Sequence, residues 1–176
     1  MVRLFAAILL LVARAAAAAP ACACLPSDAA RMEARECSLC REAEKQPPAT
    51  AVFFLKDINP RKPNRWLALP RSHSPLPEMT PAARAEFWTA AIAKARELWG
   101  GAWGIAYNGD AVRTQCHLHV HIGKLLDGVE NGPFVVVDNP AEILVPPDGT
   151  GLWVHPVDGR LHVHTGEQIT ETVLLR

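Results

Sequence analysis

Three histidines at alternate positions, His117, His119 and His121, carry the residue types best suited to chemistry in this chain. Residues two apart in a β-strand project from the same face, so the three imidazoles would lie together while the apolar residues between them face a core. Imidazole can bind zinc, or a neutral imidazole can attack as a nucleophile near pH 7. The spacing therefore favours a zinc site or a nucleophilic histidine over solvent-exposed histidines without a role.

The five cysteines offer further chemistry. Cys37 and Cys40 form a Cys-Ser-Leu-Cys sequence, which suits a redox pair, a disulfide or half of a zinc site. Cys116 alternates with His117, so a regular strand would turn it towards the core, where a buried structural thiol is the expected role.

A second group of histidines lies near the C-terminus. His162 and His164 repeat the alternation, and His155 would face them across a hairpin whose turn is Val157-Asp158-Gly159-Arg160. Together they could bind a metal, but exposed polar positions on a hairpin are the preferred interpretation.

The elements that must position these residues are strands and one long helix. Continuous apolar runs at residues 51–55, 65–69 and 103–107 predict strands. Thr80-Pro81 predicts the N-terminus of a helix that Gly100-Gly101 ends. With the histidine strand, the order strand, strand, helix, strand, strand predicts an α+β fold with an antiparallel sheet.

The rest of the chain divides into a leader and a C-terminal part. Arg3, the apolar run Leu4–Val12 and the small residues after it predict a signal peptide over residues 1–23. We therefore expect export to the periplasm or the outer face of the membrane. Residues 27–124 would form the main domain. Residues 133–176 would form a small all-β extension, with short strands at residues 134–137, 143–145, 152–155, 161–164 and 172–175 separated by Pro and Gly.

Two alternatives remain open for the leader: a membrane anchor, and a lipoprotein with lipid on Cys22 or Cys24. The charge is balanced, with 18 basic and 18 acidic residues, and does not indicate a nucleic-acid partner.

The stretch His117-Leu118-His119-Val120-His121-Ile122-Gly123 resembles the signature of the histidine triad (HIT) superfamily, and the similarity extends over about residues 37–124. The segment from Asn108 to Gln115 resembles the branch that contains bacterial CDP-diacylglycerol pyrophosphatases. That branch tends to lack the first triad histidine and the paired cysteines, whereas this chain has both.

The resemblance implies that His119 attacks the α-phosphorus of a nucleotide conjugate and forms a nucleotidyl-histidine intermediate. His121 would contact the phosphate and assist the leaving group, without a catalytic cofactor. Candidate substrate-binding residues are Asn108, Arg113, Thr114 and Gln115.

The resemblance also implies a structural zinc site, since many bacterial members bind zinc through two cysteines, a histidine after the second strand and the first triad histidine. The matching residues here are Cys37, Cys40, His73 and His117. A disulfide between Cys37 and Cys40 is the alternative, because disulfides persist in exported proteins.

The implied partner is a nucleotide conjugate, with a nucleotide-activated lipid as one candidate. Peripheral membrane association and a homodimer are also compatible with the resemblance. Two competing hypotheses remain: an exported metal-binding module in which the three triad histidines hold zinc or copper without catalysis, and a hydrolase with catalytic zinc on the triad.

Overall fold

The computed structural model describes residues 38–176, so the predicted signal peptide and Cys22, Cys24 and Cys37 lie outside the described residues. The described chain contains two α-helices and one sheet of seven strands. The elements are α1 (Ser38–Glu44), β1 (Val52–Lys56), β2 (Trp66–Pro70), α2 (Pro81–Trp99), β3 (Trp103–Tyr107), β4 (Val120–Lys124), β5 (Phe134–Val137), β6 (Leu152–Val157) and β7 (Arg160–Thr165).

The strands are antiparallel and lie in the order β1-β2-β4-β3-β6-β7-β5. The α+β class and the predicted order of the first four strands and the helix are confirmed. The segment predicted as a small β extension is rich in strands, but it does not form a separate layer. Instead β6 pairs with β3, through Ile105 and Val154 among others, so β5 to β7 continue the same sheet.

Helix α2 begins and ends where the sequence predicts. The Thr80 side chain accepts a hydrogen bond from the Ala83 N–H, and Pro81 stands at the first helical position, where no backbone donor is needed. Gly100 follows the helix with a φ of 59°, a conformation that glycine adopts without a Cβ clash.

Replacing Thr80 by alanine is expected to lower the free energy of unfolding by about 1 kcal/mol, because one N-terminal donor of α2 loses its acceptor. Thr89→Ala, an exposed position on the same helix, is the matched control and should change the value little. Urea unfolding followed by circular dichroism measures both. Equal midpoints for the two variants would mean that the cap contributes nothing.

One face of the sheet packs on α2. The helix buries Phe87, Trp88, Ala91, Ile92 and Ala95 in one core with Leu118, which precedes β4, and with Val120 and Ile122 of β4. The predicted inward direction of the apolar residues between the histidines is therefore confirmed. No helix among residues 38–176 has the length and apolar character needed to cross a membrane.

The opposite face of the sheet is covered near β3 and β4 by residues 170–176, the C-terminal segment. Leu174 packs so closely that a Cβ added at Gly104 of β3 would lie 2.6 Å from its Cδ2 atom. Backbone bonds from Leu126 N–H to Val173 and from Leu175 N–H to Lys124 fix the segment beside the end of β4. The histidine side of the sheet is thus partly enclosed.

Three predicted strand positions differ from the structure. Strand β4 begins at Val120. Its pairing with β2 stops at Val120, opposite Ala68, and its pairing with β3 stops at His121, opposite Ala106. Residues 143–145 form no strand, because a 3-10 turn precedes them and Pro146-Pro147 lack backbone donors. Residues 170–173 form a 3-10 turn, and Leu174 makes one isolated bridge to Leu125.

Candidate functional site

The three triad histidines are buried where β4 begins. Their exposed fractions are 1% for His117 and 7% for both His119 and His121. Only His121 lies within the strand, while the other two precede it. The histidines therefore have different neighbours, and they do not converge as one set of metal ligands within residues 38–176.

His117 is held by the end of β2. Its Nε2 lies 2.8 Å from the Pro70 carbonyl oxygen, which can only accept, so Nε2 carries the proton. Burial lowers the pKa of His117 to about 4, so the ring is neutral near pH 7 and Nδ1 keeps a lone pair. This Nδ1 atom is buried and has no hydrogen-bond partner among residues 38–176.

His73 and Cys40 meet His117 at this point. The two imidazole rings lie 5.0 Å apart, and one ligand atom from each of the three residues falls within 4.8 Å of the others. His73 Nε2 donates to Glu44 at 2.6 Å, while its Nδ1 is buried and also unpartnered in the described part of the chain. The hydrogen bond from His73 lowers the pKa of the Glu44 carboxyl.

This cluster has the arrangement of a metal site. Metal-bound histidines commonly donate their second ring N–H to a carbonyl or a carboxylate, which orients the ligating nitrogen. Here Pro70 and Glu44 accept those bonds, and a thiol completes three ligands. The structure therefore brings three of the four predicted ligands close enough to hold a metal ion, and Cys37 lies outside the described residues.

Cys116 differs from the prediction. It is half-buried and disulfide-bonded rather than a thiol facing the core. Because β4 starts only at Val120, strand alternation does not set the direction of this side chain.

His119 is oriented by its own backbone. Its Nδ1 lies 2.9 Å from the His117 carbonyl oxygen and therefore donates, which leaves Nε2 with the lone pair of a neutral imidazole. Burial lowers the pKa of His119, which favours this neutral form. Nε2 makes no hydrogen bond within residues 38–176, so it is available to a ligand.

His121 lies beside His119 and beneath the C-terminal segment. The two rings meet edge to face with centroids 5.2 Å apart. Burial, and next the neighbouring His119, hold the pKa of His121 well below its ordinary value. Its Nδ1 is 3.4 Å from a carboxylate oxygen of Glu171.

Glu171 joins two basic residues next to the triad. Lys62 Nζ lies 2.6 and 2.7 Å from its two oxygens, and Arg65 Nη1 lies 2.7 Å from one of them. Arg65 is 1% exposed, and it also donates to the carbonyls of Leu174 and Leu175. This group was not predicted from the sequence, although Lys62 and Arg65 both lie in the connection between β1 and β2.

Glu171→Gln is expected to lower the free energy of unfolding by about 3 kcal/mol, because the buried Arg65 guanidinium would lose its counter-charge. Glu167→Gln, an exposed carboxylate four residues earlier, is the matched control. Guanidinium unfolding curves give both values. A Glu171 variant as stable as the control would show that the carbonyl bonds alone hold Arg65.

The four predicted substrate-binding residues have separate environments. Asn108 Oδ1 accepts from both Thr170 and Glu171, so this side chain holds the C-terminal segment. Gln115 Oε1 accepts from the Ser38 hydroxyl at 2.9 Å, and Thr114 is exposed. Arg113 donates to the Tyr107 hydroxyl at 2.7 Å and forms an ion pair with Asp110.

A cleft of about 560 Å³ opens next to this arginine. Tyr107, Asp110 and Arg84 contribute to its lining, and none of the triad histidines does. The cleft therefore lies apart from the buried triad histidines.

The second histidine group is not the exposed hairpin face that the sequence suggested. His155 and His164 are each 3% exposed, and His162 is half-buried. Glu130, from the loop before β5, lies against all three and was missed because nothing local in the sequence links it to the hairpin.

Comparisons with known proteins identify a fold but no family. No family model matches the chain, and no curated protein matches it. Among solved structures, the chain is similar to a DUF4931 family protein from Bacillus cereus ATCC 10987, with a TM-score of 0.53 and 10% sequence identity. The match covers 69% of this chain and 84% of that chain, and at this identity the similarity extends to the fold alone.

Proposed function

We propose that this protein is an exported HIT-like enzyme that cleaves a nucleotide phosphoanhydride or ester at the α-phosphate. The observation that carries the proposal is the hydrogen bond from His119 Nδ1 to the His117 carbonyl. It fixes the tautomer in which Nε2 holds the lone pair that a nucleophile needs.

In the proposed reaction His119 Nε2 attacks the α-phosphorus, a P–N bond forms, and the P–O bond to the leaving group breaks. The leaving oxygen takes its proton from water, and the neutral ring of His121 beside His119 hydrogen-bonds the phosphate group. Water then attacks the nucleotidyl-histidine and releases a nucleoside monophosphate, which regenerates neutral His119.

The charges around the triad support an anionic substrate. Lys62, Arg65 and Arg113 place three cations near His119 and His121, against the carboxylates of Glu171 and Asp57. Fixed positive charge stabilises the extra negative charge that develops on phosphate oxygens in the transition state.

We further propose that Cys40, His73 and His117 hold a structural zinc ion, with Cys37 as the fourth ligand. Thiolate and imidazole ligands in a closed set of four suit zinc. The ion would fix His117, whose carbonyl orients His119, and would therefore support catalysis without contacting the substrate.

A substrate screen tests the proposal. The full chain is incubated with CDP-diacylglycerol, dinucleoside polyphosphates and nucleoside phosphoramidates, and released nucleoside monophosphate is quantified. We expect one class to be turned over, with CDP-diacylglycerol the first candidate. No release from any class by zinc-loaded protein would contradict the proposal and favour the metal-binding module.

A further inference from the structure

The β6–β7 hairpin brings three imidazoles to one face of the sheet. His155 and His162 are direct partners across the hairpin, and His164 follows two residues later on β7. Directly paired residues and residues two apart share a face, so all three rings project to the side away from α2. Glu130 reaches them from the loop before β5.

The distances among these groups suit coordination of one ion. Glu130 Oε1 lies 2.5 Å from His162 Nδ1, 3.4 Å from His155 Nε2 and 3.9 Å from His164 Nε2, and all four ligand atoms lie within 4.8 Å of one another. Ligands about 2.1 Å from a tetrahedral zinc ion are roughly 3.4 Å apart. Small side-chain rotations would therefore bring this set onto one ion.

Two of the ligand atoms lack a hydrogen-bond partner among the described residues. The His155 and His164 side chains are each 4% exposed, and their Nε2 atoms make no hydrogen bond within residues 38–176. A buried polar atom left unpaired costs about 1–3 kcal/mol. A cation between these nitrogens and the Glu130 carboxylate would satisfy both.

Aromatic stacking holds two of the rings in place. The Trp153 ring is parallel to His164, with centroids 3.7 Å apart and an interplanar angle of 4°. Phe134 stacks on His162 with centroids 4.2 Å apart and an angle of 13°. Rings fixed before an ion arrives lose little conformational entropy on binding.

We propose that Glu130, His155, His162 and His164 form a second metal site that binds a divalent first-row transition metal, with zinc as the ion to test. Three imidazoles and one carboxylate suit such metals, whereas calcium and magnesium prefer oxygen ligands. Glu130 is the most exposed of the four and gives the ion a route from solvent.

This site is distinct from the triad. His164, Trp153, Ala106 and His121 are successive cross-strand neighbours on β7, β6, β3 and β4. His164 and His121 are therefore three strand spacings apart, which is about 14 Å. An ion at the hairpin would therefore not contact His119, and the site does not depend on the proposed reaction.

The test counts zinc ions per chain. Metal-free full chain is dialysed against buffered zinc, and bound metal is measured by inductively coupled plasma mass spectrometry. The double variant Glu130→Gln/His162→Gln is expected to bind one ion fewer than the wild type. Asp127→Asn, an exposed carboxylate on the same loop, should bind as many ions as the wild type.

The difference between wild type and double variant counts the hairpin ion whether or not the Cys40 site is loaded. Equal stoichiometry in the two proteins would overturn the proposal. Should the double variant not fold, Glu130→Gln alone keeps every imidazole and should weaken zinc binding at the hairpin at least about 10-fold in a chelator competition. An unchanged affinity there would also overturn it.

Discussion

His119→Ala is expected to lower the rate of nucleoside monophosphate release by at least about 10³-fold, on the scale seen when a catalytic nucleophile is removed. The effect should fall on kcat, because the imidazole forms a bond to phosphorus only during reaction. Steady-state kinetics on the substrate selected by the screen provide the measurement.

Lys124→Ala is the matched control, since this exposed residue ends the same strand that begins beside His119. It should keep the wild-type rate. A His119 variant that retains more than about a tenth of the wild-type rate would show that another group is the nucleophile.

Cys40→Ser is expected to lower the melting temperature of the zinc-saturated chain by roughly 10 °C. An ion present at a thousand times its dissociation constant stabilises the folded state by about 4 kcal/mol. In a domain of this size each kcal/mol corresponds to about 2–4 °C. Scanning calorimetry with zinc and with excess chelator measures the effect.

The chelator separates metal loss from loss of packing at Cys40. With excess chelator, the wild type and Cys40→Ser should melt within a few degrees of each other, because neither retains the ion. Glu42→Gln, on the same helix, is the control and should melt like the wild type, because its side chain forms a surface ion pair with Lys45 among the described residues. A wild-type advantage that persists in chelator would contradict a metal role for Cys40.

Local sequence signals predicted the elements that position the triad. Thr80, Pro81 and Gly100 define both ends of α2, because cap geometry depends on residues within one turn. The alternation of Leu118, Val120 and Ile122 with the histidines predicted which face of the sheet is buried, because side chains two residues apart in a strand share a face.

The remaining features depend on contacts distant in sequence. Arg65 is buried because a segment more than 100 residues later supplies its acceptors. His162 and Glu130 are 32 residues apart, so the burial of the hairpin histidines left no periodic signal. Alternation also failed at Cys116, because strand pairing stops at Val120.

The role of each histidine could not be read from its spacing. His117 and His119 donate to backbone carbonyls through different ring nitrogens, Nε2 in one and Nδ1 in the other. That difference leaves a lone pair on Nδ1 of His117, where the proposed zinc ion needs it, and on Nε2 of His119, where the proposed reaction needs it. Only the positions of Pro70 and of the His117 backbone determine which nitrogen is left.

The nucleophilic role of His119 is tested most directly by intact-protein mass spectrometry of a single turnover, quenched in base so that a phosphoramidate survives. We expect wild type and Lys124→Ala to gain the mass of one nucleotidyl group, mapped by peptide sequencing to His119, and His119→Ala to gain none. Turnover without any adduct, or an adduct on another residue, would contradict the account.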